Sequence, residues 1–504
     1  MQILVTGGSG VVGAGTVTEL LRRGHAVRLL ARHARGDARQ WPDGVTPVEG
    51  DIADRGSIAG AADGCDAVLH VAGIVEESPP KVTFQRVNVD GTANIVAEAQ
   101  RAGVRRFVFV SSLGAPEGAS DYHGSKRAAE RIVEGFDGSW TICRPGNVYG
   151  PGDGQISVML RLVRGVSPIV PKVGSGDQTF QPIWWEDLAA ALATVVERDD
   201  LAARVLELAG GELTCQNDLH RRMSRITGRD VQSIPVPEML ASLGAKAVSL
   251  VGWKIPLGDA ELQMLREGNA IAEGKPNALT EVLGITPTPL DEGLRQLAEL
   301  QPEQLPDEGV GTLERKRYWA DIAGAVHSPE AMFELFRTHF DDVTPVFVDV
   351  KAEPRSSDVI EEGETLTLAL PMRGHVQVRV ASLEPRRATL LTLEGHPLAG
   401  AVRFLCEPRG NAIRFQVELY DRPANVIDFI AMRALGDRLQ DRTWSHVVEN
   451  MVRISGGEAP RGVEHDRESL DEQEAEAVER WLEGIAMRRK REENAERVSD
   501  SGTR

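Results

Sequence analysis

A tyrosine and a lysine one helical turn apart are the residues of this sequence best suited to acid–base chemistry. Tyr122 and Lys126 are four positions apart, so on a helix their side chains share one face. A phenol with an ordinary pKa of about 10 exchanges protons poorly at neutral pH, and a nearby ammonium lowers that pKa. The hydroxyl of Tyr122 can then exchange a proton with an alcohol or carbonyl oxygen. Ser112, or failing that Ser111, can hold the same oxygen in place.

A buried strand that ends at these serines must hold them in position. Residues 106–110 are hydrophobic and partly β-branched, and they predict a strand that ends at Ser111 and Ser112. Similar short runs predict four more strands, at residues 26–31, 45–48, 68–71 and 140–143.

The first thirteen residues predict a binding site for a dinucleotide. Residues 2–6 predict a short buried strand, three glycines follow at three-residue spacing, and a helical pattern comes next. This order places backbone N–H groups and a helix dipole against a negatively charged ligand. Gly7 permits the sharp turn, Gly10 lets a pyrophosphate approach, and Gly13 lets the helix pack close to the strand. The predicted cofactor contacts in this loop are Gly7, Gly8, Ser9, Gly10, Val11, Val12 and Gly13.

The residue after the second strand indicates which dinucleotide is preferred. An NAD site usually carries Asp or Glu there, where the carboxylate accepts hydrogen bonds from the ribose 2′-hydroxyl. This sequence has Arg32, with Arg35 nearby, and a guanidinium pairs with a 2′-phosphate that a carboxylate would repel. We therefore predict NADP(H) over NAD(H). The alternative is that Arg32 is a solvated surface arginine.

Three segments resemble the extended and atypical short-chain dehydrogenase/reductases, the NAD-dependent epimerase/dehydratase superfamily. Residues 6–13 resemble its TGxxGxxG loop, residues 122–126 its Tyr-x-x-x-Lys pair, and residues 144–153 its RPxxVYGPGD segment. The resemblance covers residues 1–300 and implies an α/β Rossmann fold with a doubly wound parallel sheet. It also implies that Tyr122 is the acid/base, that Lys126 holds the nicotinamide ribose, and that Ser112 orients the substrate.

The same resemblance implies further contacts with the cofactor along the carboxyl ends of the strands. They are Asp51 and Ile52 near the adenine, Ala72 and Gly73 in the turn beside the cofactor, Asn88 on the next helix, and Pro145 and Val148 near the nicotinamide carboxamide. Asn88 is equally suited to capping a helix or to bridging core elements.

Two departures from the commonest members of this superfamily bear on activity. The loop over residues 113–121 is short and resembles atypical members, some of which bind cofactor without known turnover. Thr179 occupies a place where sugar-nucleotide enzymes often carry an arginine, which argues against a nucleotide-sugar substrate. Residues 180–183, 234–237 and 283–290 resemble the branch that contains the NADPH-binding accessory subunit of mitochondrial complex I and its bacterial relatives.

The substrate side of this domain is expected at residues 151–183 and 210–300. Within it, residues 239–257 are mostly apolar but too interrupted to span a bilayer. They predict a lid over the substrate pocket or, alternatively, a membrane-surface helix that makes peripheral contact with lipid.

A second domain is expected after a polar linker at residues 301–312. Residues 313–457 predict one strand, a helix, a run of antiparallel strands and a long helix. This α+β helix-grip order resembles the START/Bet v1-like superfamily, and Gly395-His396-Pro397 resembles a signature of small proteins in it. The resemblance implies an apolar ligand cavity, with His396 either at its mouth or, more simply, hydrogen-bonded in a turn. Residues 458–504 predict a charged tail, partly helical or disordered.

Composition limits the remaining possibilities. The net charge of −18 disfavours nucleic acid as a partner, and the four cysteines lack metal-ligand spacing. Without a spanning segment or a leader before the first strand, we expect a cytoplasmic protein, and the oligomeric state stays open.

Three functions are compatible with these patterns. The first is an NADP(H)-dependent oxidoreductase that acts on a hydrophobic carbonyl or alcohol such as a quinone, lipid or sterol. The second is a redox-silent NADPH-binding assembly or sensor protein. The third is a carrier whose C-terminal domain binds an apolar ligand. The intact Ser112, Tyr122 and Lys126 favour the first.

Overall fold

A computed structural model describes residues 1–8, 10–165, 167–236, 269–345, 348–350, 352–353, 359–370, 374–425, 428 and 437–499. Ser9 and the apolar segment 239–257, predicted as a cofactor contact and as a lid or membrane-surface helix, lie outside the described residues.

The N-terminal elements alternate strands with helices. In chain order they are β1 (Gln2–Thr6), α1 (Val11–Arg22), β2 (Ala26–Ala31), α2 (Ala34–Asp37), β3 (Val45–Glu49), β4 (Ala67–His70), a π-helix (Gln85–Asp90), α3 (Gly91–Arg101), β5 (Arg106–Val110), α4 (Asp121–Glu134), β6 (Ser139–Pro145), β7 (Val148–Tyr149), α5 (Ile156–Arg164), β8 (Ile169–Val173), β9 (Thr179–Phe180), β10 (Ile183–Trp184), α6 (Trp185–Glu197), β11 (Arg204–Leu208), β12 (Thr214–Cys215), α7 (Gln216–Thr227), β13 (Gln232–Val236), α8 (Ala278–Glu281) and α9 (Leu290–Glu299).

Seven of these strands form one parallel sheet. Their order is β11-β6-β5-β4-β1-β2-β3, so the chain winds outward in both directions from β1 and β4. Every pairing in it is parallel, with Ile3 opposite Val27 on one side and Ala67 on the other. In such a sheet the carboxyl ends of β1 and β4 meet at the point where ligands bind. The Rossmann-like parallel sheet expected from the sequence is therefore confirmed.

The C-terminal elements are mostly antiparallel strands. They are β14 (Glu314–Ala323), α10 (Pro329–Thr338), α11 (Phe340–Val343), β15 (Thr365–Leu370), β16 (Gly374–Glu384), β17 (Arg387–Thr392), β18 (Leu398–Arg409), β19 (Ala412–Pro423), α12 (Asp437–Ser455), β20 (Glu464–Ser469) and α13 (Glu472–Ser499). The sheet order is β15-β16-β17-β18-β19-β14-β20.

Phenylalanine side chains fill the space between this sheet and its helices. The ring centroid of Phe336 on α10 lies 4.5 Å from that of Phe404 and 5.5 Å from that of Phe415. All three are fully or almost fully buried, and Met451 of α12 joins the same cluster. His396 is nearly buried in its turn, where Nδ1 accepts the N–H of Leu398 at 3.0 Å.

The segment predicted as a polar linker is packed rather than extended into solvent. In residues 301–312, Gln304 Nε2 donates to the carbonyls of His396 and Leu398 at 3.0 Å each. Glu303 is buried and forms ion pairs with Arg379 and Arg489. Ion-pair partners from distant elements thus bury the Glu303 side chain, and the role of residues 301–312 as a linker between domains stays a prediction.

Residues 464–499 of the predicted charged tail form β20 and α13, and most of their side chains are exposed or only partly buried. β20 pairs with β14 from Glu464 to Ser469, so the antiparallel sheet continues beyond residue 457. α13 buries Leu482, Ile485 and Ala486 against the outer face of the sheet. The helix is charge-rich, but one apolar stripe gives it a face that can pack. Among the described residues, no helix combines the length and apolar character needed to cross a membrane.

Buried ion pairs connect the two sheets. The guanidinium of Arg164, at the end of α5, donates to both carboxylate oxygens of Glu353, with Nε 2.8 Å from Oε1. The same guanidinium donates to Gln377 Oε1 on β16 at 2.8 Å. Near the end of α13, Arg497 lies over the ring of Trp185 at 5.0 Å. The C-terminal helix thus contacts both parts of the molecule.

Candidate functional site

The glycine-rich turn after β1 has the close backbone contacts that a pyrophosphate site needs. Gly7 has φ +75°, and a Cβ there would lie 2.6 Å from the Ala72 nitrogen. A Cβ at Gly13 would lie 2.1 Å from the carbonyl oxygen of Gly7, so α1 starts directly against the turn. Gly10 precedes α1 without a side-chain cap. The first N–H groups of α1, from Val11 and Val12 onward, therefore suit a phosphate.

The end of β2 has an arginine where a carboxylate would select NAD. Arg32 is exposed in the turn that follows Ala31. Leu29, two residues before the end of β2, packs against Gly8, because a Cβ at Gly8 would lie 2.2 Å from Leu29 Cδ1. Gly8 thus fixes the distance between the glycine-rich turn and the strand that leads to Arg32.

The turn after β3 is held by α3. The Asp51 carboxylate accepts the N–H of Ala53 at 2.9 Å, and the Ile52 carbonyl accepts from Asn94 Nδ2 at 2.9 Å. Ile52 is buried against Gly91, where a Cβ would lie 2.9 Å from Ile52 Cδ1. Asp51 and Ile52 are therefore fixed at the carboxyl edge of the sheet, beside the strand that ends at Arg32.

The turn after β4 lies between the end of β1 and the side chain of Lys126 on α4. A Cβ at Gly73 would lie 3.0 Å from Lys126 Nζ and 3.2 Å from Asn88 Oδ1. Ala72 N–H donates to the Thr6 hydroxyl at 3.2 Å. The Ala72–Gly73 turn thus touches both the strand before the glycines and the helix that carries Lys126.

Ser112 and Tyr122 meet at their hydroxyl groups. The two side chains are hydrogen-bonded and nearly buried. Burial raises the pKa of Tyr122 to about 12, although the hydrogen bond from Ser112 opposes the rise. We expected a lowered pKa for the Tyr122 phenol. In the structure the pKa is raised instead, because desolvation of the phenol outweighs the hydrogen bond from Ser112. Tyr122 is a neutral proton donor at physiological pH.

Lys126 lies beneath the same site. Its Nζ donates to the carbonyl of Val110 at 3.0 Å and lies 5.2 Å from the centroid of the Phe109 ring. Burial lowers the pKa of Lys126 to about 8, against the opposing influence of Glu130. Its ammonium is thus held between the end of β5 and the Ala72–Gly73 turn.

Asn88 bridges three elements rather than capping a helix. It is buried within the π-helix, where Oδ1 accepts the N–H of Ile74 at 2.8 Å and Nδ2 donates to the Ile74 carbonyl at 3.0 Å. Nδ2 also donates to Ser125 Oγ at 3.0 Å, and Ser125 donates to the Tyr122 carbonyl at 2.7 Å. π-Helical turns are common at functional sites because they redirect a side chain.

The remaining predicted residues lie at the next strand. The Pro145 carbonyl accepts the N–H of Leu113 at 2.9 Å, which joins the end of β6 to the segment after Ser112. Val148 starts β7 and pairs with Ile183. Of the two candidate serines, Ser111 has a buried hydroxyl with no hydrogen-bond partner, so Ser112 is the better placed.

A cavity of about 450 Å³ lies against the short loop that follows Ser112. The short loop forms one wall with Leu113, Pro116 and Ala119, and the chain at Asn269–Ala272 forms another. Thr179 and the ion pair between Glu207 and Lys275, 3.5 Å apart, complete the lining. The cavity thus borders the short loop, while Ser112, Tyr122 and Lys126 are not among its described lining residues.

Sequence reasoning missed Ser125 and Phe84. Ser125 ties Asn88 to α4, and the Phe84 ring centroid lies 6.0 Å from that of Tyr122. Because Ser125 directly precedes Lys126 in sequence, its position could have marked it as a site residue. Phe84 directly precedes the π-helix, far from Tyr122 in sequence, and gave no such signal.

Comparisons with known proteins agree with this geometry. The model of the NAD dependent epimerase/dehydratase family matches residues 3–209. Ceramide reductase of Caulobacter vibrioides is 37% identical over 193 residues, which are 38% of this chain and 59% of that protein. The 3 beta-hydroxysteroid dehydrogenase/Delta 5-->4-isomerase of Mycobacterium tuberculosis is 38% identical over 180 residues, 30% of this chain and 48% of that protein.

The chain thus spans about half the length of these curated relatives. Among solved structures, the Thermus thermophilus UDP-glucose 4-epimerase complex with NAD is 23% identical with a TM-score of 0.46, covering 59% of this chain and 97% of that chain. The residues that match the NAD dependent epimerase/dehydratase family model, 3–209, are thus the part of the chain that forms the seven-stranded Rossmann-like sheet.

Proposed function

We propose that this chain is an NADP(H)-dependent oxidoreductase that reduces a carbonyl of a hydrophobic compound or oxidises the corresponding alcohol. The observation that carries the proposal is the hydrogen bond between Ser112 and Tyr122, beside Lys126 and the Ala72–Gly73 turn. When bound, the cofactor supplies or accepts the hydride, and the protein handles the proton.

The proton chemistry favours carbonyl reduction. Because the pKa of Tyr122 is raised to about 12, the phenol is protonated at neutral pH and can donate to a carbonyl oxygen. Ser112 donates a second hydrogen bond to that oxygen and orients it. Lys126 would hold the nicotinamide ribose, and its positive charge favours the phenolate that forms when Tyr122 gives up its proton.

The substrate we propose is bulky, apolar and uncharged, such as a sterol, long-chain lipid or quinone. The cavity against the loop after Ser112 has Leu113, Pro116 and Ala119 on its loop wall, together with Glu117 and two glycines. Its one lysine, among the described lining residues, pairs with Glu207, which leaves little attraction for a diphosphate. Similarity to a ceramide reductase and a 3 beta-hydroxysteroid dehydrogenase supports this substrate class.

Single-turnover oxidation of NADPH tests the reaction. The protein is mixed with stoichiometric NADPH and a panel of 3-ketosteroids, long-chain ketones, quinones and aldehydes, and absorbance loss is followed. We expect at least one apolar carbonyl to react, and Tyr122→Phe to slow that reaction by about 10²–10⁴-fold while NADPH still binds.

Two serine variants provide a matched control. Ser112→Ala should slow the reaction by about 10-fold or more, because it removes the hydroxyl bonded to Tyr122. Ser111→Ala removes a neighbouring buried hydroxyl without a partner and should leave the rate nearly unchanged. Equal rates for wild type and Tyr122→Phe on every reactive compound would overturn the assignment of the acid.

We further propose that Arg32 selects the 2′-phosphate of NADP(H). Its exposed guanidinium directly follows β2, where a carboxylate would favour NAD. Arg32→Ala should weaken NADPH binding about tenfold or more and change NADH binding little. Arg105→Ala, an exposed arginine at the start of β5, serves as the control. Wild-type affinity for NADH that equals or exceeds that for NADPH would refute the preference.

A redox-silent NADPH-binding role, as in the complex I branch, is the second candidate. The short loop at residues 113–121 favours it, because a short wall holds a substrate weakly. This role predicts tight NADPH binding with no single-turnover oxidation on any compound of the panel, whereas the enzyme predicts at least one reactive carbonyl.

For the C-terminal part we propose a helix-grip unit of the START/Bet v1-like type that binds an apolar ligand. The order of β14, α10, β15 to β19 and α12 supports this relationship. The phenylalanines around Phe336 occupy the place of a ligand, so binding requires them to move. Titration with a fluorescent sterol or fatty acid tests the idea, and Phe336→Ala should tighten binding. If neither wild type nor Phe336→Ala binds the sterol or the fatty acid, the carrier role is rejected.

A further inference from the structure

A chain of buried hydrogen bonds runs beneath the dinucleotide site and has no part in the proton chemistry above. It joins Thr6, His70 and Thr92, which are all fully buried. Thr6 Oγ1 lies 2.7 Å from His70 Nδ1, and Thr92 Oγ1 lies 3.0 Å from His70 Nε2. Thr6 ends β1, His70 ends β4 and Thr92 lies in the first turn of α3, so the chain joins three elements.

The partners at each end fix the direction of every hydrogen bond. The Thr92 hydroxyl donates to the Asn88 carbonyl at 2.6 Å, so its oxygen accepts from His70, and Nε2 must carry the proton. Burial lowers the pKa of His70 to about 3, with a smaller contribution from Lys126, so the ring is neutral and Nδ1 is an acceptor. The Thr6 hydroxyl therefore donates to Nδ1, while its oxygen accepts the N–H of Ala72.

Both ends of this chain are predicted cofactor contacts. One end is Ala72, in the turn that also presses against Gly7. The other end is Asn88, whose side chain bonds to Ser125 on α4. A change in the length or direction of the chain would therefore shift the glycine-rich turn, the Ala72–Gly73 turn and the catalytic helix relative to one another.

We propose that His70, held as the Nε2–H tautomer, is a positioning residue that sets the spacing of the dinucleotide site and hence its affinity. This inference rests on the dinucleotide site of the proposed function but not on turnover. A purely packing role is the competing explanation, because the His70 ring also stacks on Phe109 at 5.6 Å and meets Phe107 at 6.1 Å.

Two substitutions at His70 separate these explanations. His70→Phe keeps an aromatic ring against Phe107 and Phe109 but removes both hydrogen bonds. His70→Gln loses the ring, yet its amide has one acceptor and one donor that can replace Nδ1 and Nε2. The measurements are the dissociation constant for NADPH, by fluorescence titration, and the melting temperature of each cofactor-free protein.

We expect His70→Phe to weaken NADPH binding by at least about tenfold, because it leaves the buried hydroxyl groups of Thr6 and Thr92 with an unmatched bond each. We expect His70→Gln to bind within about threefold of wild type. His220→Phe is the matched control, since His220 is also buried, with one hydrogen bond to Ser233 at 2.7 Å, but far along the chain in α7. Its affinity should not change.

Wild-type affinity in His70→Phe would overturn the proposal, and so would a glutamine variant as weak as the phenylalanine variant. If His70→Phe does not fold, Thr92→Val decides. A folded Thr92→Val with several-fold weaker binding supports the proposal, and one with wild-type binding overturns it. A protein that binds NADPH but reduces no compound would defeat the proposed enzyme and leave this inference intact.

Discussion

The two seven-stranded sheets use their buried polar side chains differently. In the parallel sheet these side chains gather where strands end, with Thr6 as the last residue of β1 and His70 as the last residue of β4. In the antiparallel sheet one group of them lies along β14 beneath α12, where Lys316 Nζ bonds to Asp421 at 2.7 Å and the Tyr318 hydroxyl bonds to Asp441 at 2.5 Å.

This difference predicts that one group of polar side chains governs ligand binding and the other governs stability. Polar groups at the edge of the parallel sheet set the shape of a ligand site, whereas those beneath α12 attach a helix to a sheet. Substitutions at the first edge should therefore change dinucleotide affinity most, and substitutions within the second core should change the free energy of unfolding most. The following variants test that separation, from the largest expected effect to the smallest.

Gly13→Val should do the greatest damage to the N-terminal part. Its side chain would overlap backbone atoms of Gly7 and Gly8 at 2.1 and 2.6 Å, and no rotamer can relieve such contacts. We expect a loss of at least about 100-fold in NADPH affinity, with destabilisation of about 3 kcal/mol or more. Gly36→Ala, which has open space around it, is the control for both titration and thermal unfolding. NADPH binding of wild-type strength in Gly13→Val would contradict the site.

Phe336→Ala should have its effect in the other sheet. Phe336 is fully buried among aromatic rings, so its removal should lower the free energy of unfolding by about 3–5 kcal/mol. Val326→Ala, at a position 86% exposed, should stay within about 0.5 kcal/mol of wild type. Denaturant titration gives the stability, and NADPH affinity should be unchanged. A large loss of NADPH affinity in Phe336→Ala would show that packing in the antiparallel sheet also controls dinucleotide binding.

Glu303→Gln tests the buried ion pairs that join residues 301–312 to β16 and α13. Burial tends to raise the pKa of Glu303, but Arg379 and Arg489 outweigh it and lower the pKa to about 2. Removing the carboxylate from two buried guanidinium groups should cost about 3 kcal/mol at pH 7. Denaturant titration measures this cost, with Glu334→Gln, an exposed partner of Arg337, as the control.

The pH dependence of that cost has a defined sign. Because the folded-state pKa of Glu303 lies below its ordinary value, the stabilisation is complete above about pH 4.5 and is lost as the pH falls towards 2. The difference between wild type and Glu303→Gln should therefore shrink between pH 7 and pH 3. A difference that grows on acidification would contradict the ion-pair assignment.

Arg497→Ala should have the smallest effect. Its partly exposed guanidinium lies over Trp185 and 3.7 Å from Glu186 Oε1, contacts worth about 0.5–1 kcal/mol in such surroundings. We expect faster amide hydrogen exchange near the end of α13 and unchanged exchange in β14. Equal amide exchange near the end of α13 in wild type and Arg497→Ala would mean that the contact with Trp185 does not stabilise this end of the helix.

Local signals were enough to predict most strands. The predicted strands at residues 26–31 and 106–110 have the same bounds in the structure, and the one at 140–143 is extended to Ser139–Pro145. Each is a buried or alternating run bounded by glycine or polar residues, which is information that lies within a few positions. The glycine spacing likewise led to the turn at Gly7 and Gly13, because the contacts made there are between near neighbours in sequence.

Features that depend on distant partners could not be predicted in the same way. Nothing near Glu303 signals Arg379 or Arg489, so the segment around it resembled a linker. The raised pKa of Tyr122 depends on burial by the rest of the fold, whereas its neighbour Lys126 suggested the opposite shift. The hydrogen bonds of His70 also join three separate parts of the chain.

The return of α13 to the start of the molecule has a consequence for biosynthesis. Arg491 pairs with Asp43, 448 positions earlier in the chain. At typical ribosome speeds of about 5–20 residues per second, the nascent N-terminal half waits on the order of tens of seconds before its last covering helix emerges. During that interval the surface around α1 is accessible to chaperones and proteases, so folding of the N-terminal part can be monitored before α13 covers it.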